Sequence, residues 1–404
     1  MKIFIIILSS FLFTISGLYA QDVWTQKDSV NGPPRSSCAS FVLNGEGWVV
    51  SGLDIIDFNR KMYSYDVDQD DWDSEESIGG INGSGLNRGG AIAFSADGKG
   101  FVGLGQGNTA PFYSDLWGYE PESEVWTQKA DFIGSARRQA VAFTIENIAY
   151  VGTGQDQDGY TKDFFAYDAI TNTWTQITDF GGTARKGAVG FAMGAQGYVG
   201  TGEDGIYTND FWQYHPSFDV WAERASYPGT ARTGASAWGI FPTAFIACGY
   251  DNTFSYKKDV WEYNYFANVW VQRTNFLGPK RTNGSAFVID GIAYLGLGYN
   301  GTYLDDFYAY SPILSFNKNE IKVKMNTYPN PASTFVNIEF NDELPVDTEV
   351  ILHDVNGKKV SQLIIDYSLS KIHIDLNNLT IGTYFYTVKS KNNNFVKSGK
   401  LIIE

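Results

Sequence analysis

Residues 134–154 read GSARRQAVAFTIENIAYVGTG, and the spacing of the marked residues in this stretch recurs along most of the 404-residue chain. Arg137 stands three residues after Gly134, Phe143 follows Arg137 by six residues, and Gly154 follows it by seventeen. An apolar run leads into the last glycine, which is typical of a β-strand that ends at a turn. The stretch therefore predicts antiparallel strands, and its recurrence predicts a repeated β-unit.

Six arginines repeat this pattern: Arg35, Arg88, Arg137, Arg185, Arg232 and Arg281. The glycines three residues before them are Gly32, Gly85, Gly134, Gly182, Gly229 and Gly278. The aromatic residues six positions after them are Phe41, Phe94, Phe143, Phe191, Trp238 and Phe287. The glycines seventeen positions after them are Gly52, Gly105, Gly154, Gly202, Gly249 and Gly298. A period of about 50 residues with aromatic and glycine marks is typical of a β-propeller.

Each unit continues with a five-residue group that runs from Asp through an aromatic residue to Tyr, such as DFWQY at 210–214, except the first, which has KMYSY at 61–65. A tryptophan follows the tyrosine by seven residues in five units, at Trp72, Trp126, Trp174, Trp221 and Trp270. The sixth unit lacks it, whereas Trp24 stands before the first arginine without a preceding tyrosine. We therefore predict four antiparallel strands per unit, with the strand of Trp24 completing the sixth unit and closing the ring.

The composition agrees with a folded, mainly β protein. The chain is 43% hydrophobic and 16% aromatic, and its many Gly, Tyr and Phe residues suit pleated surfaces and tight turns. A net charge of −15 argues against binding to nucleic acid, which needs clustered Lys and Arg. Three His and two Cys leave little for metal or general-base chemistry. Cys38 and Cys248 occupy unlike positions in different units, so no disulfide is expected.

The two ends of the chain differ from the repeats. Residues 1–20 combine a basic start, an apolar stretch and small residues, which predicts a secretory signal peptide and no transmembrane segment after its removal. Residues 21–312 would form the propeller, and 313–320 a linker. Residues 321–404 change to an Asn- and Lys-rich alternation without Trp, which predicts a separate small β-sandwich.

Four sequence blocks occur in order in residues 321–404. They are Tyr328-Pro329-Asn330-Pro331, then DVNGKKV at 354–360 with Gly357 and Lys358, then Gly382-Thr383-Tyr384 after Leu379, and finally the run from Lys400 to Ile403. This tail resembles the type A C-terminal sorting domain of the type IX secretion system. The resemblance implies contact with that machinery, export across the outer membrane of a Gram-negative bacterium, and a released or cell-surface protein. A plain immunoglobulin-like accessory domain is the alternative.

The six units resemble kelch repeats over about residues 22–312, through their fixed spacing. The resemblance extends to the central domain of galactose oxidase. It implies an all-β chain, with a six-bladed kelch-type β-propeller closed by the N-terminal strand and followed by a small immunoglobulin-like β-sandwich. Kelch units usually carry adjacent glycines, whereas most of these units read Gly-x-Gly, as at 152–154. Copper oxidation is not expected, because His215 is the propeller's one histidine.

One face of such a propeller carries the candidate site. The connections between units and those between second and third strands open on the same face. There lie the six arginines and the acidic loop residues Asp156, Glu203, Asp204 and Asp251. The kelch resemblance implies that an arginine ring can border the central channel and bind an anionic or sugar ligand. The alternative is structural: an arginine in every unit can bond carbonyl groups of the adjoining unit, and the acids can form a solvated rim.

An acidic cluster within residues 66–73 partly matches a calcium-binding loop. It falls between the predicted third and fourth strands of the first unit, where other units have ordinary turns. Neither the glycine nor the closing glutamate of a calcium loop is correctly placed. We therefore predict a turn, with calcium binding as the alternative.

The sequence contains no Ser-His-Asp set, zinc-ligand spacing or phosphate loop, so we predict no catalytic residue, metal or cofactor. The loops are uniform, and no long insertion is available to cover an active site. The leading hypothesis is an exported binding module for a glycan or protein ligand. The alternative is a sugar-modifying enzyme of the sialic-acid mutarotase or isomerase type found among kelch propellers, which would act through channel arginines and a carboxylate.

Overall fold

The structure, a computed structural model, describes residues 22–80, 83, 86–108, 111–312, 325–340, 348–355, 357–365, 371–390 and 396–404. The expected signal peptide (1–20), Gly85, the linker (313–320) and Asn356 of the DVNGKKV block lie outside these residues.

Among the described residues from 23 to 311, short antiparallel strands form six sheets of four or five strands and one two-stranded ladder. The first sheet has Arg35–Ser36, Ala39–Leu43, Glu46–Asp54, Phe58–Asp66 and Asp71–Glu75. The second has Ile92–Ala96, Lys99–Gly103, Leu116–Glu120 and Val125–Gln128, and the third has Val141–Ile145, Ile148–Gly152, Phe164–Asp168 and Thr173–Ile177. The fourth has Val189–Met193, Gln196–Gly200, Phe211–His215 and Val220–Glu223, with a 3-10 turn at Pro216–Phe218. The fifth has Ser236–Ile240, Thr243–Ala247, Val260–Asn264 and Val269–Arg273, and the ladder Arg232–Thr233 with Tyr250–Asp251 adjoins it.

The sixth sheet is built from both ends of this region. Ser285–Ile289, Ile292–Gly296 and Phe307–Ser311 supply three strands, and Val23–Lys27 supplies the fourth. Trp24 lies opposite Tyr310 in this pairing, and its ring lies 4.6 Å from the Tyr310 ring. The N-terminal strand therefore belongs to the sheet that the tryptophan spacing assigns to it.

A closed circle of backbone hydrogen bonds joins the six sheets. Its members, which we call the mouth ring, each lie two residues after a repeat arginine: Ser37, Gly90, Gln139, Gly187, Gly234 and Asn283. The N–H of each donates to the carbonyl of the member before it at 2.8–3.1 Å, and Ser37 closes the circle by donating to Asn283. All six have φ between 51° and 62°, the left-handed region that glycine adopts without steric cost. At Gly187 a Cβ would also overlap the Thr233 hydroxyl.

The first strands of the sheets surround a central channel with a cavity of about 180 Å³. The residues that line it are small or aliphatic, such as Ala91, Ala140, Ala188, Gly284 and Ser40. The mouth ring lines the adjoining cavity, so it marks one end of the channel. We call the surface at that end, formed by the loops before the first strands and those between second and third strands, the mouth face.

The hydrophobic core lies between neighbouring sheets. One cluster joins Trp238 and Phe245 of the fifth sheet to Leu295 and Tyr310 of the sixth and to Trp24. Close packing requires small residues at some contacts: a Cβ at Gly197 of the fourth sheet would overlap the Phe143 ring of the third. Because each sheet buries apolar surface against its neighbours, the ring arrangement leaves no sheet face uncovered.

The described part of the tail forms two antiparallel sheets that share one core. One sheet has Met325–Tyr328, Phe335–Phe340 and Lys371–Asp375, and the other has Lys359–Ile365, Thr348–Asp354, Gly382–Ser390 and Val396–Ile403. Val336 and Ile338 of the first sheet pack with Val350, Leu352 and Val388 of the second. Among the described residues, no helix has the length and apolarity required to cross a membrane.

Candidate functional site

The six repeat arginines are buried, each with at most 1% of its surface exposed. Their guanidinium groups bond within their own unit, as Arg137 illustrates: Nε donates to the Ser135 carbonyl at 2.9 Å, and Nη1 donates to the Thr153 carbonyl at 3.1 Å. The same two bonds recur in every unit, to the carbonyls two residues before and sixteen residues after the arginine. Each guanidinium also lies over an aromatic ring, at 4.5–5.0 Å in all six.

Five of the arginines are paired with the aspartate that opens the third strand. The pairs are Arg88–Asp115, Arg137–Asp163, Arg185–Asp210, Arg232–Asp259 and Arg281–Asp306, with N···O distances of 2.5–2.7 Å. Arg35 instead donates to the amide oxygen of Asn59 at 3.1 Å. Burial alone would raise the pKa of Asp210, but hydrogen bonds from Arg185 and Trp212 hold that pKa below its usual value.

The repeat arginines connect sheets through their backbone rather than their side chains. The Arg185 carbonyl accepts a hydrogen bond from Gly154 N–H of the preceding sheet at 2.7 Å, and the same bond occurs at all six junctions. Bonding of the side chains to carbonyls of the adjoining unit was one form of the structural alternative, but the carbonyls that they bond belong to the same unit. None of the six arginines is among the residues that line the channel cavity.

The acidic loop residues occur in three different arrangements. Asp156 accepts a hydrogen bond from the Ser135 hydroxyl and Asp204 from the Thr183 hydroxyl, both at 2.6 Å, so each joins a second-to-third-strand loop to the loop before the arginine. The buried Asp251 pairs with Lys257 at 2.6 Å. Glu203 differs, because it accepts from the Tyr160 hydroxyl at 2.8 Å and lies 3.8 Å from Lys186 on the mouth face.

The cluster at residues 66–73 occupies the turn between the third and fourth strands of the first sheet. Asp66 accepts hydrogen bonds from the N–H groups of Asp68 and Gln69, at 2.8 and 3.1 Å. This is the side-chain-to-backbone pattern that stabilises a tight turn, so the turn interpretation is confirmed. Over the described residues, no group of His, Cys, Asp or Glu side chains is arranged to hold a metal ion.

A ring of aromatic residues surrounds the mouth face, one from each unit. Five of them stand three residues before the aspartate that precedes the third strand, and Phe58 stands three residues before Lys61 in the first unit. All six are partly exposed: Phe58, Phe112, Tyr160, Tyr207, Tyr256 and Tyr303. Our reading of the sequence missed these residues, although their constant distance from the five-residue group that ends in Tyr is visible in it.

Five tyrosines form a continuous arc on one side of this face, which we call the tyrosine arc. Tyr250 and Tyr299 stand directly after Gly249 and Gly298, the glycines seventeen positions after the repeat arginines, and fill the gaps between ring members. Ring centroids lie 6.4 Å apart for Tyr207–Tyr250, 5.0 Å for Tyr250–Tyr256, 6.2 Å for Tyr256–Tyr299 and 5.1 Å for Tyr299–Tyr303. Within the described parts of the chain, none of the five hydroxyls has a hydrogen-bond partner. The arc therefore offers flat apolar surface together with free hydroxyl groups.

Next to the arc lies a polar cluster. Arg138 donates to Gln155 Oε1 at 3.0 Å and also bonds Gln106, and Lys186 donates to Gln155 Oε1 at 3.3 Å. Lys186 also lies 5.5 Å from the centroid of the Tyr160 ring. Unlike the repeat arginines, these side chains are partly exposed. The mouth face thus combines stacking surface with charged and amide groups, which suits binding of a polar molecule.

The sorting-motif residues mostly stabilise turns and strand ends in the tail. Asn330 donates to the Lys400 carbonyl at 2.8 Å and accepts from Ile402 N–H at 2.9 Å, so it fastens the last strand. Lys358 N–H donates to the Asp354 carboxylate at 2.9 Å beside Gly357, which has φ 73°. The buried Tyr384 donates its hydroxyl to the Thr380 carbonyl. Gly382 begins a strand. Tyr328 and Pro329 form an exposed segment before Asn330, and Pro331 lies in the bend after it.

Comparison with known proteins supports both parts of the chain. A solved structure titled "Structure of YjhT" matches with a TM-score of 0.59 and 17% identity, covering 70% of this chain and 96% of that chain. At this identity the likeness shows the fold alone, and it supports a β-propeller. No curated protein matches the chain. Residues 326–404 match the family described as the secretion system C-terminal sorting domain. The chain therefore carries a type IX sorting tail, which directs it to the cell surface or into the medium.

Proposed function

We propose that this protein is an exported binding module, in which residues 21–312 form a six-bladed kelch-type propeller that binds a glycan on its mouth face. Residues 321–404 would act as an immunoglobulin-like sorting domain behind a signal peptide and a short linker. The observation that carries the proposal is the tyrosine arc, whose rings lie side by side with free hydroxyls at the channel mouth.

The chemistry of the arc suits a saccharide. The C–H faces of a sugar ring are apolar and pack against flat aromatic side chains, while its hydroxyls need donors and acceptors nearby. Tyrosine supplies both in one side chain, at a low cost in side-chain entropy. The neighbouring Arg138, Lys186 and Glu203 add charged hydrogen-bonding groups at the edge of the same surface. A protein ligand is the other outcome that a binding screen can give.

An enzyme of the mutarotase or isomerase type receives less support. Such chemistry would use the repeat arginines and a carboxylate at the channel, but their guanidinium groups are buried and already bonded. The described residues that line the channel cavity are small and neutral, and they include no histidine or carboxylate, the groups that most often transfer protons in catalysis.

A glycan array probed with the full chain tests the proposal. We expect binding to a subset of glycans, and we expect Tyr250→Ala and Tyr299→Ala to weaken that binding by about tenfold each, since each removes one stacking surface. The control is Phe218→Ala, which removes an exposed aromatic ring from a turn at the opposite end. Binding that both tyrosine variants retain in full, or binding to no glycan, would refute the proposal.

A further inference from the structure

A second concavity on the mouth face lies beside the fifth sheet. Its volume is about 660 Å³, within the range of small-ligand sites. The loop at 228–230 forms one side, the segment 256–259 and Trp261 form another, and Lys280 stands at the edge. We call it the lysine pocket, because Lys257, Lys258 and Lys280 all line it.

The repeat shows that the fold does not require these lysines. The residues equivalent to Lys257 in the other five units are Asn59, Tyr113, Thr161, Thr208 and Leu304. Those equivalent to Lys258 are Arg60, Ser114, Lys162, Asn209 and Asp305. Those equivalent to Lys280 are Pro34, Asn87, Ala136, Ala184 and Ala231. Only the junction between the fifth and sixth units places a lysine at all three positions, with Lys257 and Lys258 in the fifth unit and Lys280 at the start of the sixth, in a chain whose net charge is −15.

Two of the three positive charges are free. Lys257 is paired with Asp251 at 2.6 Å, so its charge is neutralised within the loop. Lys258 and Lys280 are exposed, and neither makes an ion pair with any residue that the structure describes. Two unpaired ammonium groups that line the same concavity attract an anion more strongly than either would on a flat surface.

The pocket is continuous with the tyrosine arc. Tyr256 belongs to both, with its ring 5.0 Å from Tyr250 and 6.2 Å from Tyr299. Trp261 lies in the pocket wall, where its indole N–H donates to Asp259 at 2.9 Å and fixes the ring. A ligand seated on the arc therefore reaches the lysines without leaving the surface.

We propose that the lysine pocket binds the acidic group of an anionic saccharide, one whose rings carry carboxylate or sulfate groups, while neighbouring sugar rings pack on the tyrosine arc. This inference rests on the proposed glycan-binding function and names its ligand class. The carboxylate and sulfate sources share one chemistry, a negative oxygen cluster that accepts hydrogen bonds from ammonium groups.

Calorimetric titration of the full chain distinguishes the ligand classes. The probes are oligogalacturonate for carboxylate, carrageenan oligosaccharides for sulfate, and neutral agarose oligosaccharides of matched length. We expect at least one acidic probe to bind about tenfold or more tightly than the neutral one, and its affinity to fall as sodium chloride rises. Neutral chains that bind as well as both acidic ones would overturn this inference and leave the proposed function standing. Absence of binding to any saccharide would overturn both.

The double variant Lys258→Gln/Lys280→Gln locates the site. We expect it to lose about tenfold in affinity for the acidic probe and to keep its affinity for the neutral one, with an unchanged unfolding midpoint, because both side chains are exposed. Lys162→Gln is the matched control, since it removes the lysine at the equivalent position of the third unit. An unchanged affinity in the double variant, or an equal loss in the control, would overturn the assignment of this pocket.

Discussion

Replacing Trp24 with alanine tests whether the N-terminal strand closes the ring of sheets. Trp24 is 9% exposed although it lies three residues from the start of the described chain. Its ring makes edge contacts with Phe276 at 4.8 Å and Trp238 at 6.4 Å, and its indole N–H donates to the Thr274 carbonyl at 3.4 Å. The side chain therefore packs against the fifth sheet from its place in the sixth.

The magnitude follows from that burial. Removing a large aromatic side chain from a core lowers the free energy of unfolding by about 3–5 kcal/mol. Because Trp24 is slightly exposed, we expect Trp24→Ala to cost about 3 kcal/mol. Trp126→Ala is the matched comparison, because Trp126 has the same position in the second sheet and is 8% exposed. If the N-terminal strand is an integral part of the ring, the two substitutions lower the free energy of unfolding by amounts within about 1 kcal/mol of each other.

Urea unfolding of the full chain, followed by circular dichroism, measures both variants. A third variant, Trp24→Phe, keeps an aromatic ring in the cavity and should recover part of the loss. A Trp24→Ala curve within about 0.5 kcal/mol of the parent, together with a large loss for Trp126→Ala, would show that the strand frays freely and would refute ring closure.

Four further outcomes are expected. Arg137→Met should lower the free energy of unfolding by about 3–5 kcal/mol in a denaturant titration, because it leaves Asp163 without its buried partner, and a loss below about 1 kcal/mol would contradict this role. Gly187→Val should lower the thermal midpoint, since valine is strained at φ 59° and would meet the neighbouring sheet, whereas Gly187→Asn should cost less. Because the pKa of Asp210 is lowered in the folded state, its carboxylate stabilises the fold above the usual carboxyl pKa of about 4, and this stabilisation is lost as the pH falls through the lowered pKa. Asp210→Asn should therefore reduce the dependence of the free energy of unfolding on acid pH. Deleting residues 321–404 should leave the protein in the periplasm on cell fractionation, and undiminished export would contradict the sorting role.

The repeat made the architecture accessible from sequence alone. Trp24 lacks a preceding tyrosine and the sixth unit lacks a tryptophan, and this offset assigns the first strand to the last sheet. The sequence repeat is easy to detect because every unit packs against equivalent units on both sides. The distance between positions such as Arg137 and Gly154 is therefore the same in each unit. The sequence blocks around Asn330 and Gly357 likewise predicted the sorting tail that the comparison with known families supports.

The roles of individual side chains were harder to predict. Arg137 and Asp163 are 26 residues apart, and nothing local indicates that their side chains meet. The spacing left both a structural role and an anion site open for the arginine ring, and it did not show that the guanidinium groups lie between sheet strands and aromatic rings. Burial depends on packing between strands that are distant in sequence, which residue spacing does not encode.

The mouth face shows the same limit. Lys258 and Lys280 come from two different loops that line one pocket. The antiparallel strands Val260–Asn264 and Val269–Arg273 lie between them in sequence and return the chain to the same end of the fifth sheet. Tyr250 and Tyr256 lie six residues apart, yet the contact between their rings follows from the bridge between their backbones. The spacing of residues within a unit could be predicted from the sequence, but the contacts between loops could be identified only in the structure.

Hydrogen–deuterium exchange with and without a saturating saccharide tests the central claim that the mouth face is the binding surface. The probe is the tightest ligand from the calorimetric titrations. We predict protection in the second-to-third-strand loops, strongest at 250–259 and 299–303, and unchanged exchange in the turns at the opposite end, such as 265–268. Protection confined to those opposite turns, or to the tail, would contradict the account.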